Sequence, residues 1–497
     1  MRSSGLLVIV AIAIWALPGG VALGYPTEPS DSWVYPYLYE LRLREGAGHL
    51  FISTGPYGRL EIAEWLQGVE AGDLTGRSLW LYDMLATEFD GEARVLEVGS
   101  GWAGDLNVRS AAETGSRAYG EALGRFAYYS PVGVAIWTSL RASANGVDLH
   151  KVETRVWEDR LRASVDYAGI AFRKQGFTIS LCRDEMSWGA DRRRGLLFSG
   201  TAPSFDMLSI GYSAGPVAFT SFHSRLRDGR NVEAEGDVRR FVSAHRLEVL
   251  AGEGISFGIS EAVLYGGPFR TFEPAYLNPL TIFYADQWNS GWNDNILIAG
   301  DFALLFPGRA EIRGELMIDD FQYDFENEPH EFGGGLSLSA VNPLLPGSSL
   351  AGASYYHISN QTYGHLVTWN RLVHEGKVMG YEDGPDGDRL ALWTTLARPG
   401  SMLWRAEYSL RRKGEGQATD VQEETGSRVG FPSGTVETSH RGGVGLVWRP
   451  RHMWSVEARV EYHRTRNAGN VEGEDDDGWD LFLGAQFNLK IDAWSGE

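Results

Sequence analysis

A few groups of residues in this chain have types and spacings that could act on another molecule. In Tyr356-His357-Ile358-Ser359-Asn360 a histidine and a serine stand at i and i+2. On a strand those positions share one face, which is the arrangement a serine nucleophile and a histidine base need for acyl transfer. A second group pairs rings with guanidinium groups: Trp188 with Arg192 and Arg194, then Trp288 and Trp292, then Tyr363, His365 and Trp369. Aromatic faces stack on sugar rings of many kinds, and arginine adds charge-assisted hydrogen bonds to uronate or phosphate groups. These eight residues are therefore the candidate site for a charged sugar polymer. Each also has a structural reading, with Trp188 as a membrane-belt residue and the loop aromatics as packing that closes one loop on another.

The remaining candidates carry less chemistry. Arg246 and Glu261 fall on neighbouring strands and read as an ion pair inside the fold. The acidic run Glu472 to Asp477 lacks the glycine-spaced ligand pattern of a calcium loop and reads as solvated surface charge. Cys182 is the only cysteine, which excludes an internal disulfide and a multi-cysteine zinc site. No metal and no cofactor are expected. A formal net charge of −20 argues against nucleic acid, whose phosphates require a surplus of Lys and Arg.

The elements that would position these residues follow from periodicity. From Arg94 onward the hydrophobic period is two, as in Trp454, Val456, Ala458, Val460 and Tyr462 against Ser455, Glu457, Arg459, Glu461 and His463. Several runs approach the ~9–11 residues of a tilted membrane strand and exceed the ~5–6 of an ordinary one. Short turns such as Lys174-Gln175-Gly176, Gly252-Glu253-Gly254 and Pro307-Gly308-Arg309 alternate with long polar connections. Among the latter are Gly189 to Ser204, Gly266 to Asn295 and Asn360 to Arg389. Strict alternation of short and long is what one closed antiparallel sheet produces when every second turn faces the same side.

The ladder from Arg94 to Ile491 holds about eighteen strands, an even number that suits an outer-membrane barrel, with both termini on the periplasmic side. The 62 Gly, 17 Trp, 21 Tyr and 22 Phe supply its turns and interfacial rings. Its lumen is expected to be lined by mixed charge, including Arg160, Arg162, Asp166, Glu311, Arg313, Glu315, Arg405, Glu407, Glu457, Arg459 and Glu461. On that reading His357 and Ser359, opposite in parity to Leu350, Tyr356 and Ile358, face the lumen, away from any lipid ester.

Before the strands, Arg2 and the apolar run Leu6 to Leu17 lead to Ala22-Leu23-Gly24, a cleavable export signal over residues 1–24. Residues 25–93 read as a periplasmic helical segment. Ile62, Trp65, Leu66 and Val69 form one stripe, and Leu81, Tyr82, Leu85 and Phe89 a second that Gly91 ends. Residues 94–497 are then the outer-membrane barrel.

One stretch and five further segments, in order, carry a resemblance. The stretch is Asp184-Glu185-Met186-Ser187-Trp188-Gly189 with the Arg192-Arg193-Arg194 run and Ala202-Pro203-Ser204-Phe205, and the segments are Ala244-His245-Arg246-Leu247-Glu248, Ser260-Glu261-Ala262-Val263-Leu264-Tyr265-Gly266, Tyr276-Leu277-Asn278-Pro279-Leu280, Gly314-Glu315-Leu316-Met317-Ile318-Asp319-Asp320, and Thr362-Tyr363-Gly364-His365 followed by Gly384-Pro385-Asp386-Gly387-Asp388. Together they resemble the Wzi-type capsule-assembly family of outer-membrane proteins over most of the chain beyond residue 24. The resemblance implies an eighteen-stranded barrel with a small periplasmic helical bundle, and a non-catalytic protein that holds capsular or exopolysaccharide at the cell surface. An acidic surface polysaccharide and outer-membrane lipids are the expected partners, and the chain is expected to be a monomer. Two other readings compete. One is a diffusion porin. The other is a lipid ester hydrolase, because His357-Ile358-Ser359-Asn360 resembles the His-x-Ser-Asn of outer-membrane phospholipase and lipid A deacylase barrels.

Overall fold

The computed structural model describes residues 26–46, 50–114, 118–144, 161–191, 193–227, 238–252, 254–291, 293–319, 331–398, 402–420 and 430–494. Residues 1–24, expected to be an export signal, lie outside them. A closed antiparallel barrel dominates. Its wall strands are β1 (Gly101–Glu113), β2 (Tyr119–Tyr129), β3 (Val134–Ala144), β4 (Leu161–Ser164 continued by Ala168–Lys174), β5 (Phe177–Asp184) and β6 (Phe205–Ala214). Next come β7 (Val217–Leu226), β8 (Val238–Leu250), β9 (Ile255–Pro268), β10 (Asn295–Phe306), β11 (Ala310–Ile318) and β12 (Phe332–Val341). The circuit ends with β13 (Ser349–Ile358), β14 (Gly387–Arg398), β15 (Met402–Lys413), β16 (Glu437–Arg451), β17 (Trp454–Arg466) and β18 (Asp476–Trp494). Pairing of β18 with β1 from Gly101↔Trp494 to Glu113↔Phe482 closes the ring at eighteen strands.

The alternation expected from sequence sets the two faces. Leu106, Val108, Ile136, Leu140, Phe257, Ile259, Leu316 and Val444 are exposed on the outer wall, the apolar band that hydrocarbon covers. Rings gather at both of its edges. Trp102 lies 4.8 Å from Phe126 and 4.3 Å from Tyr128 near the termini, and Tyr462 lies 5.1 Å from Trp479 at the other end. No helix is long and apolar enough to cross a membrane.

Four helices precede the barrel: α1 (Val34–Glu45), α2 (Arg59–Gln67), α3 (Gly76–Glu88) and α4 (Asp90–Val98). The sequence pattern anticipates α2 and α3. It does not anticipate α1, and it ends the helical region too early, because Gly91 sits in the first turn of α4 beside Asp90 and Glu92, whose charges suit a helix N-terminus. Strand structure therefore begins at Gly101 and not at Arg94. Val34, Leu38, Leu41, Ile62, Trp65, Leu66, Leu81 and Leu85 form the helical core. Buried ion pairs seat this unit on the barrel. Arg59 meets Glu28, Glu88 and Glu92, Arg125 of β2 meets Glu28 and Glu88, and Arg42 reaches Glu311 of β11 at 2.5 Å.

The lumen is partly filled from both membrane sides. From the helical unit, Thr54–Gly55 enters and pairs with Ser187–Trp188, which in turn pairs with Phe198–Ser199. The latter two belong to segment 185–204, which folds inward from the far rim. Beneath them Arg246 of β8 donates to Thr54 Oγ1 at 2.8 Å and, through both terminal nitrogens, to Asp301 of β10 at 2.7 and 3.0 Å. The Thr54 hydroxyl donates to Glu248 at 2.6 Å. A further segment, 359–386, covers the in-turned one. A continuous apolar core then joins Trp188, Leu196, Phe198 and Phe222 to Tyr356, Tyr363, Leu372 and Tyr381.

Candidate functional site

The eight residues singled out from sequence do not form one surface. Arg192 and Trp292 lie outside the described residues. Trp188 is 1% exposed and sits in the luminal core, edge-on to Phe198 at 5.3 Å and to Phe222 at 5.4 Å. It is a packing residue of the plug and not a belt residue. Tyr363 is fully buried beside it. Its hydroxyl donates to the Leu196 carbonyl at 2.8 Å and accepts from the Tyr381 amide at 3.1 Å, so it ties segment 359–386 to the in-turned segment. Burial above all pushes that hydroxyl well above its ordinary pKa, which keeps it a donor.

His365 and Trp369 are half-buried in the same covering segment. The His365 Nδ1 accepts the Val367 amide at 3.0 Å, and burial pulls its pKa down to about 4, leaving an uncharged ring. Trp369 lies over the end of β9, where a side chain at Gly266 would come within 3.1 Å of its ring. Trp288 is the exposed one, at 71%. It stands on α6 (Phe283–Ser290), which follows the short α5 (Pro274–Leu277) and packs on the outer wall of the barrel and not at its mouth. The in-register alternation of β9 proves the side: Ile255, Phe257 and Ile259 are exposed on the outer face, and Val263 and Tyr265 on that face are buried by Tyr276 and Phe283.

Arg194 reaches a cavity. An open luminal space of about 490 Å³ lies between α1 and the wall strands β11 to β15. Tyr39 and Tyr37 of α1, Trp393 of β14, and Arg193, Arg194, Arg313 and Arg405 contribute to its lining, with Ser337 and Ser354 as small hydroxyls. Arg194 donates to Ser354 Oγ at 3.0 Å and to Asp191 at 3.4 Å. Arg313 stacks over the Tyr39 ring at 4.7 Å while pairing with Glu311 at 2.7 Å. The wall beyond is less covered, since the side chains of Arg405 and Arg441 stay 54% and 50% exposed. Rings, guanidinium groups and hydroxyls in one wet cleft are what sugar recognition requires. Sequence reading named Arg194 as a site residue, Arg313 and Arg405 only as luminal charge and Arg193 only within the resemblance, and it missed Tyr37, Tyr39 and Trp393. The available signal was the aromatic run Tyr35-Pro36-Tyr37-Leu38-Tyr39, of which Tyr35 and Tyr37 are buried in the helical core while all three also border the cleft.

The in-turned segment that presents Arg193 and Arg194 is held by one carboxylate. Glu315 of β11 accepts the Leu196 amide at 2.9 Å and the Ala190 amide at 3.3 Å. Gly189, at φ 129°, passes so close that a Cβ there would lie 2.5 Å from that carboxylate, so only glycine permits the inward bend.

Two further expectations are corrected. His357 faces outward and not into the lumen: Leu350, Tyr356 and Ile358 point into the packed interior, and His357 lies against Phe431 at 4.1 Å and Phe332 at 5.4 Å. Parity was assigned on the premise that apolar residues face lipid, which fails where the lumen holds an apolar plug. Ser359 lies past the end of β13. Its amide donates to the Phe332 carbonyl and its carbonyl accepts the Asp386 amide, both at 3.0 Å, and no hydrogen bond joins its side chain to His357 among the described residues. Arg246 and Glu261 do not pair. The register sets Arg246 opposite Ser260, and Glu261 opposite His245 on the outer wall. There Glu261 accepts the Phe283 and Tyr284 amides at 2.9 and 2.8 Å and caps α6.

Neither a family model nor a curated protein matches this sequence. Solved structures do share its fold. The chain is similar to Wzi, an outer-membrane protein involved in group 1 capsule assembly in Escherichia coli and described as a carbohydrate-binding β-barrel. The TM-score is 0.65 at 13% identity, over 94% of this chain and 100% of that one. OprD from Pseudomonas aeruginosa aligns with a TM-score of 0.46 at 9% identity, over 78% of this chain and 95% of that one. The outer-membrane protein OpdK of the same organism gives 0.48 at 10% identity, over 78% and 99%. The closed eighteen-stranded ring and the likeness to Wzi give the chain the fold of an outer-membrane β-barrel.

Proposed function

We propose that this protein is an outer-membrane barrel that binds surface polysaccharide without catalysis, with the luminal cleft around Arg194 as the contact site. One observation carries the reading: Tyr39, Trp393, Arg193, Arg194 and Arg405 share one open cleft with serine hydroxyls. The fold shared with a carbohydrate-binding barrel supports it. Binding without hydrolysis is favoured because His357 is clasped between two rings and Ser359 lies beyond the strand, so the pair has no aligned proton path. Exported residues 1–24 as a cleaved signal and an acidic polymer as partner belong to the same proposal.

The test is retention. A deletion strain should shed its surface polysaccharide, and Arg194→Ala with Trp393→Ala should do so while the folded barrel accumulates normally. Retention equal to the parent, with the double variant present in the membrane, would remove the cleft from the function. A second reading, a narrow solute channel, draws on the exposed Arg405 and Arg441 of the unfilled half-lumen. Planar bilayers decide between them. The filled half predicts small conductance, and large steady currents would favour the channel.

A further inference from the structure

The cleft is covered from below. The helical unit lies across the periplasmic mouth and is tied to strands all round the ring. Arg125 of β2 meets Glu28 at 3.1 Å, Arg173 of β4 meets Glu64 at 3.4 Å, and Arg42 pairs with Glu311 of β11. Arg44 donates to the Ser349 carbonyl at the start of β13 at 3.5 Å, Arg449 of β16 stacks over Trp33 at 4.3 Å, and Lys490 of β18 donates to the Thr87 carbonyl at 3.0 Å. Rings and ion pairs thus make a floor beneath the lumen. A ligand from the periplasm would meet this floor first.

Above the floor the cleft is enclosed on most sides. Tyr37 and Tyr39 of α1 form its base, β11 to β14 its back, and Asp191, Arg194 and Glu382 its roof. Higher still, Tyr356 and Tyr381 stack at 5.0 Å in the apolar core of the plug. Among the described residues the side left uncovered is β15, where Arg405 borders the cleft and stays exposed. The wall next to it is bare. In register, Gly445 of β16 stands opposite Arg405 and Gly443 opposite Glu407, with Arg459 and Glu461 of β17 beyond them. Two inward positions without side chains therefore form a lane between polar flanks. Strand β16 carries it up to the exposed Arg441, toward the extracellular end at Glu437.

We propose that the cleft takes the end of a polysaccharide chain, entering from outside the cell along this lane, and not a stretch from its middle. The proposal rests on the luminal reading of the function. A space of about 490 Å³ falls among the ~300–1,000 Å³ sites that hold small ligands, so it accommodates a short run of sugars. A chain end fills a cleft with one approach as a single strand. A mid-chain stretch would have to enter as a hairpin, two strands abreast in the lane, and more of the chain would lose its freedom on binding. The terminal rings lie against Tyr39 and Trp393, and the serine hydroxyls and Arg193 answer their hydroxyls and any acidic group. Each barrel grips one chain and leaves the repeats outside free.

The test is a capacity measurement on full-length protein in detergent micelles, titrated calorimetrically with the surface polysaccharide extracted from its own cells. One portion is left intact. Another is sheared by ultrasound to about one-tenth of its mean length, which multiplies ends per gram about tenfold and leaves repeats per gram unchanged. A chain-end site predicts that the protein bound per gram at saturation rises about tenfold with shearing. Equal capacity per gram, with binding still lost in the Arg194→Ala and Trp393→Ala double variant, would overturn the chain end alone. Parental binding by that double variant, or none by the parent, would remove the luminal reading with it. Gly445→Phe fills the lane. A Cβ there meets only ordinary contacts, the Ala458 carbonyl oxygen at 3.6 Å and Arg459 Cβ at 3.9 Å, so the barrel should fold, which heat-modifiable gel mobility checks. It should weaken binding of the sheared portion about tenfold, whereas Val444→Phe, one residue away on the lipid face, should bind as the parent does. Parental affinity in folded Gly445→Phe would equally overturn the proposal.

Discussion

Arg240 of β8 fastens the covering segment 359–386 to the wall, and its removal should loosen that segment without unfolding the barrel. Its guanidinium is 2% exposed and donates to three backbone carbonyls: Trp369 at 2.8 Å, Arg371 at 2.7 Å and Val373 at 2.9 Å. Hydrogen bonds from a charged donor contribute ~1.5–3 kcal/mol each. Three sharing one donor are not additive, and the freed carbonyls near the rim can take water, so Arg240→Met should cost the segment about 3 kcal/mol of local stability. At ~1.4 kcal/mol per decade that is about a hundredfold rise in its open population. Hydrogen exchange on the detergent-solubilised protein reads this directly. Amides of segment 359–386 should exchange about two orders of magnitude faster, and those of β8 should keep their protection. Protection of the segment that stays within about threefold of the parent would refute the view that Arg240 holds it, and would leave its fixation to Tyr363 and the apolar core.

The seat of the helices should depend on pH in two opposite ways. Burial disfavours the Glu88 anion, but Lys490, His452, Arg59 and Arg125 outweigh it and hold the carboxyl well below the ordinary range. Its stabilisation is therefore present above the unfolded value of ~4.3 and lost as pH falls below it. Glu88→Gln should weaken helix protection at neutral pH by ~1–3 kcal/mol and flatten its acid dependence, measured by exchange of α3 and α4 peptides. Glu61 is the reverse, because burial pushes its carboxyl up to about 8. Its contribution is full below the unfolded value and falls as pH rises through about 8. Glu61→Gln should remove that alkaline loss, and a parent whose α2 protection is unchanged between neutral and alkaline pH would contradict the assignment.

Strand number, turn order and the position of the long connections were legible because a two-residue period and glycine-rich short turns are local properties. Filling of the lumen was not. Trp188 and Tyr363 carry no mark that distinguishes a ring stacked on sugar from one packed against Phe198 or Leu196, since both uses need an apolar face. The plug also inverted a local signal. Leu350, Tyr356 and Ile358 are the apolar positions of β13, yet they point inward because the interior there is as apolar as lipid. Helix α1 escaped for a related reason. Val34, Tyr35, Tyr37, Leu38, Leu41 and even Glu40 and Arg42 are buried, so it lies between the helical unit and the wall and shows no single stripe. Arg246 and Glu261 were one residue apart in parity, and a one-residue difference on a strand is the difference between lumen and lipid.

The charge inside the cleft bears on what kind of sugar it suits. The whole chain is acidic, at −20, so an acidic polymer would need a locally cationic surface. Four arginines line the cleft, but three are already matched: Arg313 to Glu311, Arg194 to Asp191 and Arg405 to Glu407 at 2.9 Å. Arg193 alone has no ion-pair partner among the described residues, and it is held at φ 60°, a backbone strain that non-glycine residues seldom accept without a local reason. Glu40 and Glu382 on the same lining are matched in turn, Glu40 by Arg44 and Arg77 and Glu382 by Arg389. The cleft is therefore close to electrically balanced, and recognition there must rest chiefly on ring stacking against Tyr39 and Trp393 and on hydroxyl hydrogen bonds. Arg193 supplies one unspent cation. That combination fits a polymer with sparse anionic groups among neutral sugars better than a polyuronate, whose every repeat would need a cation of its own where the cleft has one unspent arginine.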